Sequence, residues 1–105
     1  MTSHAPKVAL VIGAGDALGG AIAKRFARGG YTTCVTRRSV EKLFALKAEI
    51  DSAGGVCHAF GSDVREEEEV TKLFAQIEAD IGPVEVCVFN IGGNVRFGKI
   101  GRAHV

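Results

Sequence analysis

The sequence predicts an α/β fold, in which helices cover both faces of a parallel β-sheet. Two segments, Val8 to Ile12 and Val84 to Asn90, are almost entirely apolar, as is typical of strands that are buried on both faces. Stretches with apolar residues at helical spacing separate the strand segments. Because strand and helix alternate three times before a final strand, we expect right-handed crossovers and a doubly wound sheet of about four strands and three helices.

The first strand runs into a glycine-rich turn, and a helix follows from Ala17 to the pair Gly29-Gly30. Gly13 allows the tight turn, and the free amides at the helix N-terminus favour an anion such as a pyrophosphate. A strand, turn and helix of this kind are the arrangement found in Rossmann-like dinucleotide-binding folds. Leu18 stands where the third glycine of G-x-G-x-x-G would be, so a helix-capping loop that binds nothing is the alternative interpretation.

The second strand and helix come next. A strand is predicted at Tyr31 to Thr36, where β-branched and aromatic residues are frequent. Ser39 is the predicted N-cap of the second helix, and Gly54-Gly55 ends that helix.

A third, shorter strand is predicted at Val56 to Phe60. Asp63 and Glu66 have the spacing of a capping box, so the third helix is predicted to begin there and to end at Gly82-Pro83. Four consecutive glutamates near its start suit the helix dipole. We therefore interpret that run as a solvated helix start without a chemical role.

Length and composition are those of an ordinary globular protein. The 105 residues suffice for one small domain, which we assign to residues 1–98, and a net charge of +1 without a basic run disfavours nucleic acid as a partner. No apolar run approaches the length of a membrane span, so we expect a cytoplasmic protein without membrane contact. Cys34, Cys57 and Cys87 form no C-x-x-C pair, so buried, reduced thiols and no metal site are expected.

Four places in the chain carry motifs of a known family. They are the loop from Ile12 to Gly19, the pair Arg37-Arg38, the pair Asp63-Val64, and the segment from Phe89 to Gly92. On these residues the chain resembles the N-terminal half of the short-chain dehydrogenase/reductases. The loop aligns with the family's T-G-x-x-x-G-x-G, although isoleucine and alanine replace the threonine and the middle glycine. The last segment aligns with the family's N-N-A-G and keeps the second asparagine and the glycine.

The resemblance implies a set of cofactor-binding residues. The glycine loop would cradle the pyrophosphate, and Asp63-Val64 matches the pair that lines the adenine pocket in the family. Because Gly15 also allows the spacing G-x-G-x-x-x-G of other NADP-binding Rossmann proteins, the loop alone does not decide the family. The implied residues are Gly13, Gly15, Asp16, Ala17, Leu18, Gly19, Arg37, Arg38, Asp63, Val64, Asn90, Ile91 and Gly92.

The end of the second strand bears on the choice of cofactor. Enzymes that use NAD carry an acid there for the ribose 2′-hydroxyl, whereas enzymes that use NADP supply a cation for the 2′-phosphate. Arg37 and Arg38 stand about twenty residues after the loop with no acid nearby in sequence, so NADP is the predicted cofactor. NAD is the alternative cofactor, because Asp16 would repel a phosphate, and a solvated arginine pair is the alternative interpretation of the motif.

The resemblance also implies an activity, the interconversion of an alcohol and a carbonyl by hydride transfer. Members of the family take a serine and a Y-x-x-x-K motif from later in the chain, whereas the only tyrosine here, Tyr31, is followed four residues later by Val35. We therefore expect a fragment without catalytic residues that is inactive alone. Its fourth strand would form an exposed apolar edge. The longer parent protein, of which this chain would be a fragment, would act on a small molecule and form a homo-oligomer.

Two other functions remain open. One is a non-catalytic module that binds NADP or senses redox state, and the other is an interaction domain that has kept only the fold.

The last residues form a separate case. Ile100 to Val105 is the translation of ATC GGA AGA GCA CAC GTC, the start of a widely used sequencing adapter that continues with an in-frame stop. We therefore expect residues 99–105 to be a non-native tail and assign them no function. A short polar terminus is the alternative.

Overall fold

The computed structural model describes residues 7–14, 17–63, 66–91 and 94–99. These residues form a five-stranded sheet with the strand order β3-β2-β1-β4-β5, in which the first four strands are parallel and β5 is antiparallel. The predicted Rossmann-like α/β fold is therefore confirmed. In chain order the elements are β1 (Val8–Ile12), α1 (Ala17–Arg28), β2 (Thr32–Arg37), a 3₁₀ helix (Val40–Leu43), α2 (Phe44–Ser52), β3 (Val56–Gly61), α3 (Glu67–Asp80), β4 (Val84–Ile91) and β5 (Asn94–Lys99).

β1 lies at the centre of the sheet, and all five of its residues are fully buried. Helices α1 and α2 cover one face of the sheet and α3 covers the other, as the doubly wound arrangement requires. Each face has its own apolar cluster. Under α1 and α2 it consists of Val11, Ala14, Ala23, Val35, Leu43, Leu46, Ile50, Cys57 and Val88. Under α3 it consists of Val8, Leu10, Ile12, Cys34, Leu73, Ile77, Val84 and Cys87.

The start of α3 differs from the predicted capping box. Glu66 is the N-cap, and within the range 66–91 it makes no side-chain capping hydrogen bond. Asp63 lies outside the helix, because the Glu66 amide donates to the Asp63 carbonyl oxygen at 3.0 Å and closes a turn before the helix begins. The prediction that Asp63 and Glu66 cap each other is therefore wrong, although three glutamates do occupy the first turn of the helix.

The second helix is divided into a 3₁₀ helix and α2. Ser39 does occupy the predicted N-cap position of the 3₁₀ helix, but in the described range 17–63 its side chain makes no capping hydrogen bond.

The edge beside β4 also differs from the prediction of an exposed strand. β5 pairs with β4 in antiparallel register, with Val88 opposite Phe97 and Ile91 opposite Asn94. The unpaired backbone groups of an edge strand favour such pairing. Ile91 and Asn94 are too close in sequence for the dozen or more residues that a parallel crossover needs, so only an antiparallel neighbour can form here.

The three cysteines are free and buried, as predicted. Burial, together with the neighbouring Cys57, raises the pKa of Cys34 from 9.0 to about 12, and burial raises the pKa of Cys87 to about 11. Burial therefore favours the protonated form of these two thiols, and a protonated thiol is a poor nucleophile. Among the described residues, no helix has the length and apolar character needed to cross a membrane.

The raised pKa of Cys34 makes stability depend on pH. Below pH 9 both states keep the thiol protonated, so its stabilising effect is fully present. As the pH rises towards 12, only the unfolded chain ionises it, and the free energy of unfolding falls by at most about 1.4 kcal/mol per pH unit for this thiol. When urea unfolding is measured across this pH range, the free energy of unfolding should decline less steeply for Cys34→Ala than for the unmodified chain. An equal decline in the two proteins would contradict the assignment.

Candidate functional site

The strand order changes direction at β1. β2 and β3 follow on one side of β1, whereas β4 lies on the other side. In open α/β sheets, ligands bind at such a switch point, in the crevice outside the carboxyl ends of the strands. Each of the four sequence motifs has described residues at this edge, because Gly13 follows β1, Arg37 ends β2, Asp63 follows β3 and Asn90 is near the end of β4.

The glycine turn is held to the end of β2. The amides of Gly13 and Ala14 both donate to the Thr36 carbonyl oxygen, at 2.8 and 3.2 Å. Gly13 has a φ of 85°, in the left-handed region where a side chain is strained. A Cβ atom on Gly13 would also overlap the Asn90 carbonyl oxygen, so the turn requires glycine for two separate reasons.

The first turn of α1 faces the crevice. From Ala17, where the described part of the helix starts, this turn contains no acidic residue. The Leu18 residue is 49% exposed to solvent. Gly19 is buried, and a Cβ atom there would lie 2.8 Å from the Ala14 Cα. The start of a helix, with its amides and its dipole, is suited to an anion.

Two cationic residues stand at the end of β2, next to the glycine turn. Arg37 is half-buried and Arg38 is exposed, and neither forms an ion pair with any other described residue. The Arg37 carbonyl oxygen accepts a 3.0 Å hydrogen bond from the Ser62 amide, which links the ends of β2 and β3. Asp63 follows as a half-buried residue. Two cationic residues thus stand at this edge of the sheet.

The site residues predicted from the sequence are brought together only in part within the described structure. Gly13, Ala17, Leu18, Gly19, Arg37, Arg38, Asp63 and Asn90 lie at the carboxyl edge of the sheet, and Ile91 is the last residue of β4. Gly15, Asp16, Val64 and Gly92 lie outside the described residues.

Sequence reasoning missed two residues at this edge. The Thr36 carbonyl oxygen anchors the turn, which no side-chain pattern could show because the interaction belongs to the backbone. The Thr36 and Ser62 hydroxyls are buried and have no hydrogen-bond partner among the described residues. A polar residue at the end of a predicted buried strand is the one signal that could have drawn attention to Thr36.

Replacing Gly13 with alanine should lower the free energy of unfolding by more than replacing Gly30. Both glycines have a left-handed φ, 85° and 93°, which costs about 1–2 kcal/mol for alanine. A Cβ atom on Gly30 meets nothing within 4 Å, whereas one on Gly13 overlaps Asn90. Urea unfolding of Gly13→Ala and of the matched control Gly30→Ala measures the difference. Equal losses of unfolding free energy in the two variants would show that the close contact of Gly13 with Asn90 of β4 adds no cost.

Comparison with known proteins agrees with this architecture. The family model described as short chain dehydrogenase matches residues 7–103. A farnesol dehydrogenase from Aedes aegypti is 40% identical over 93 residues, which cover 88% of this chain and 38% of that protein.

Solved structures give the same result. A short-chain dehydrogenase from Rhodopseudomonas palustris has a TM-score of 0.77 at 46% identity, covering 90% of this chain and 44% of that one. A metagenomic short-chain oxidoreductase solved in complex with NADP has a TM-score of 0.75 at 31% identity, covering 82% and 39%. The chain therefore spans less than half the length of these proteins. On the match of the family model to nearly its whole length, the chain belongs to the short-chain dehydrogenase family.

Proposed function

We propose that this chain is the cofactor-binding part of an oxidoreductase that interconverts an alcohol and a carbonyl, with NADP(H) as the preferred cofactor. The observation that carries the proposal is the position of Arg37 and Arg38. They lie at the carboxyl end of β2, next to the glycine turn and outside any ion pair among the described residues. The NADP complex of the metagenomic relative supports the same cofactor.

The residues present fit a dinucleotide. The N-terminus of α1 would hold the pyrophosphate, because the first described turn of that helix carries no acid. The two arginines would bind the 2′-phosphate through charge-assisted hydrogen bonds, and Asp63 would border the adenine. When bound, the nicotinamide supplies or accepts the hydride. The role of this chain is to bind the cofactor and to hold it at the switch point.

The chain offers no tyrosine for proton transfer at the crevice. Tyr31 is the only tyrosine in the sequence and directly precedes β2, so it lies at the amino end of the strand. Its ring packs edge-on against Phe26 with centroids 5.2 Å apart. We propose that the general acid–base residues, and with them the small alcohol or carbonyl substrate, belong to the longer parent. The alternative function is binding of NADP without turnover, and it is also supported by the position of Tyr31 away from the crevice.

The preference for NADP should depend on the two arginines. Charge-assisted hydrogen bonds contribute about 1.5–3 kcal/mol each, so Arg37→Ala with Arg38→Ala should reduce NADP affinity at least tenfold and leave NAD affinity nearly unchanged. Calorimetric titration with each cofactor measures this ratio. The matched control is Arg25→Ala with Arg28→Ala, which removes the same charge from the last turns of α1. A double variant at 37 and 38 with the wild-type ratio would contradict the cofactor assignment.

The purified 105-residue chain should not catalyse NADPH oxidation with carbonyl substrates. General acid–base groups contribute about 10²- to 10⁴-fold to such reactions, and the described crevice contains no tyrosine to supply one. Absorbance of NADPH at its nicotinamide band, followed over hours with a panel of aldehydes and ketones, checks this. Turnover that depends on the carbonyl substrate would overturn the proposal that catalysis requires the parent.

A further inference from the structure

Two buried hydroxyl groups, those of Thr36 and Ser62, lie where β2 and β3 end. Thr36 is fully buried and Ser62 is 6% exposed, and neither hydroxyl oxygen has a hydrogen-bond partner among the described residues. The large majority of buried polar side-chain atoms in proteins are hydrogen-bonded, either to protein or to ordered water. We infer that Thr36 and Ser62 together form a polar site that binds one buried water molecule. The water joins the ends of β2 and β3, just before Arg37 and Asp63, whether or not a dinucleotide binds.

The strand register places the two hydroxyl-bearing residues on the same face of the sheet. Thr36 pairs with Phe60 in the parallel ladder, and the Ser62 amide extends that ladder with its 3.0 Å hydrogen bond to the Arg37 carbonyl oxygen. Phe60 packs against the apolar cluster under α3. Because side chains alternate along a strand, position 62 lies on the same face as Phe60 and Thr36.

The distance between the two residues suits a single bridging molecule. Residues in this diagonal relation on neighbouring strands have Cβ atoms separated by somewhat less than about 7–8 Å. Two O–H···O hydrogen bonds of about 2.8 Å each, together with the two short hydroxyl side chains, span that separation. One water molecule can therefore contact both hydroxyl groups at once.

The surroundings of Thr36 exclude the other ways of satisfying its hydroxyl group. Its neighbours in the ladder are Ile12 on β1 and Phe60 on β3, and the α3 residues of the cluster on this face are apolar as well. The neutral oxygens of Thr36 and Ser62 do not suit an ion, because a charge in an apolar interior is costly without a charged partner. Water can donate to one hydroxyl and accept from the other.

A double-mutant cycle on Thr36→Val and Ser62→Ala tests the shared ligand. Each single variant removes one partner of the water, so each should raise the equilibrium constant of urea unfolding about threefold or more. The second substitution then removes a group whose partner is already lost, so the double variant should be much less destabilised than the sum of the single variants. Additive losses would overturn the inference. A stability gain in either single variant would also overturn it, because that gain is expected when a buried hydroxyl without a partner is removed.

Thr33 provides a matched control in the same strand. It is also fully buried, but its Oγ1 donates a 3.1 Å hydrogen bond directly to the Val56 carbonyl oxygen. It pairs with Cys57, which belongs to the cluster under α1 and α2, so it lies on the opposite face from Thr36. Thr33→Val and Ser62→Ala should therefore have additive effects on stability. A coupling as large as that between positions 36 and 62 would overturn the inference, because it would reflect a general loosening of the strands.

NMR on the unmodified chain tests for the water directly and does not depend on the folding of Thr36→Val. The Thr36 γ-methyl protons should show a nuclear Overhauser effect to the water resonance, with opposite signs in the laboratory and rotating frames, as expected of a long-lived buried water. In Ser62→Ala this effect should be lost, whereas an effect relayed by the exchanging hydroxyl proton of Thr36 itself would persist. No contact with water in the unmodified chain, or an unchanged contact in Ser62→Ala, would overturn the inference.

Discussion

The burial of β1 on both faces and both edges is the constraint on which the rest of the structure depends. β2 and β4 satisfy its backbone groups, and apolar clusters cover each face. Parallel neighbours cannot be joined by tight turns, so helices must cross over the sheet between them. These crossovers place α1 and α2 on one face and α3 on the other. The reversal of strand order beside β1, and with it the crevice, is a direct consequence.

Two features of the crevice favour an anion. One is the N-terminus of α1, where the helix dipole favours negative charge. The other is the pair Arg37 and Arg38 at the end of the neighbouring strand. The ion pairs found among the described residues, Lys24 with Glu49 and Lys47 with Asp51, do not involve either arginine. This distribution suits a ligand with a pyrophosphate and a further phosphate.

Two residues that differ from the family's motifs occupy different environments in the structure. Phe89 replaces the first asparagine of the N-N-A-G motif and is 37% exposed, while its neighbour Asn90 is buried against the turn. Alternation along a strand sends adjacent side chains to opposite faces, so a change at 89 leaves the contact of Asn90 with Gly13 intact. Ile12 replaces the threonine of the glycine loop and is fully buried under α3. Its role is therefore packing.

The sequence by itself determined the fold class, the three α-helices and four of the five strands, because apolar periodicity and glycine positions are local signals. The bounds of β1 and the start of α1 were predicted without error. The sequence also determined which motifs would meet, since the carboxyl ends of parallel strands share one edge. Tertiary structure alone decided the antiparallel β5, the turn before α3 that excludes Asp63 from its cap, and the contact of Asn90 with Gly13. These features depend on backbone groups and on residues far apart in the chain, which local patterns of side chains do not encode.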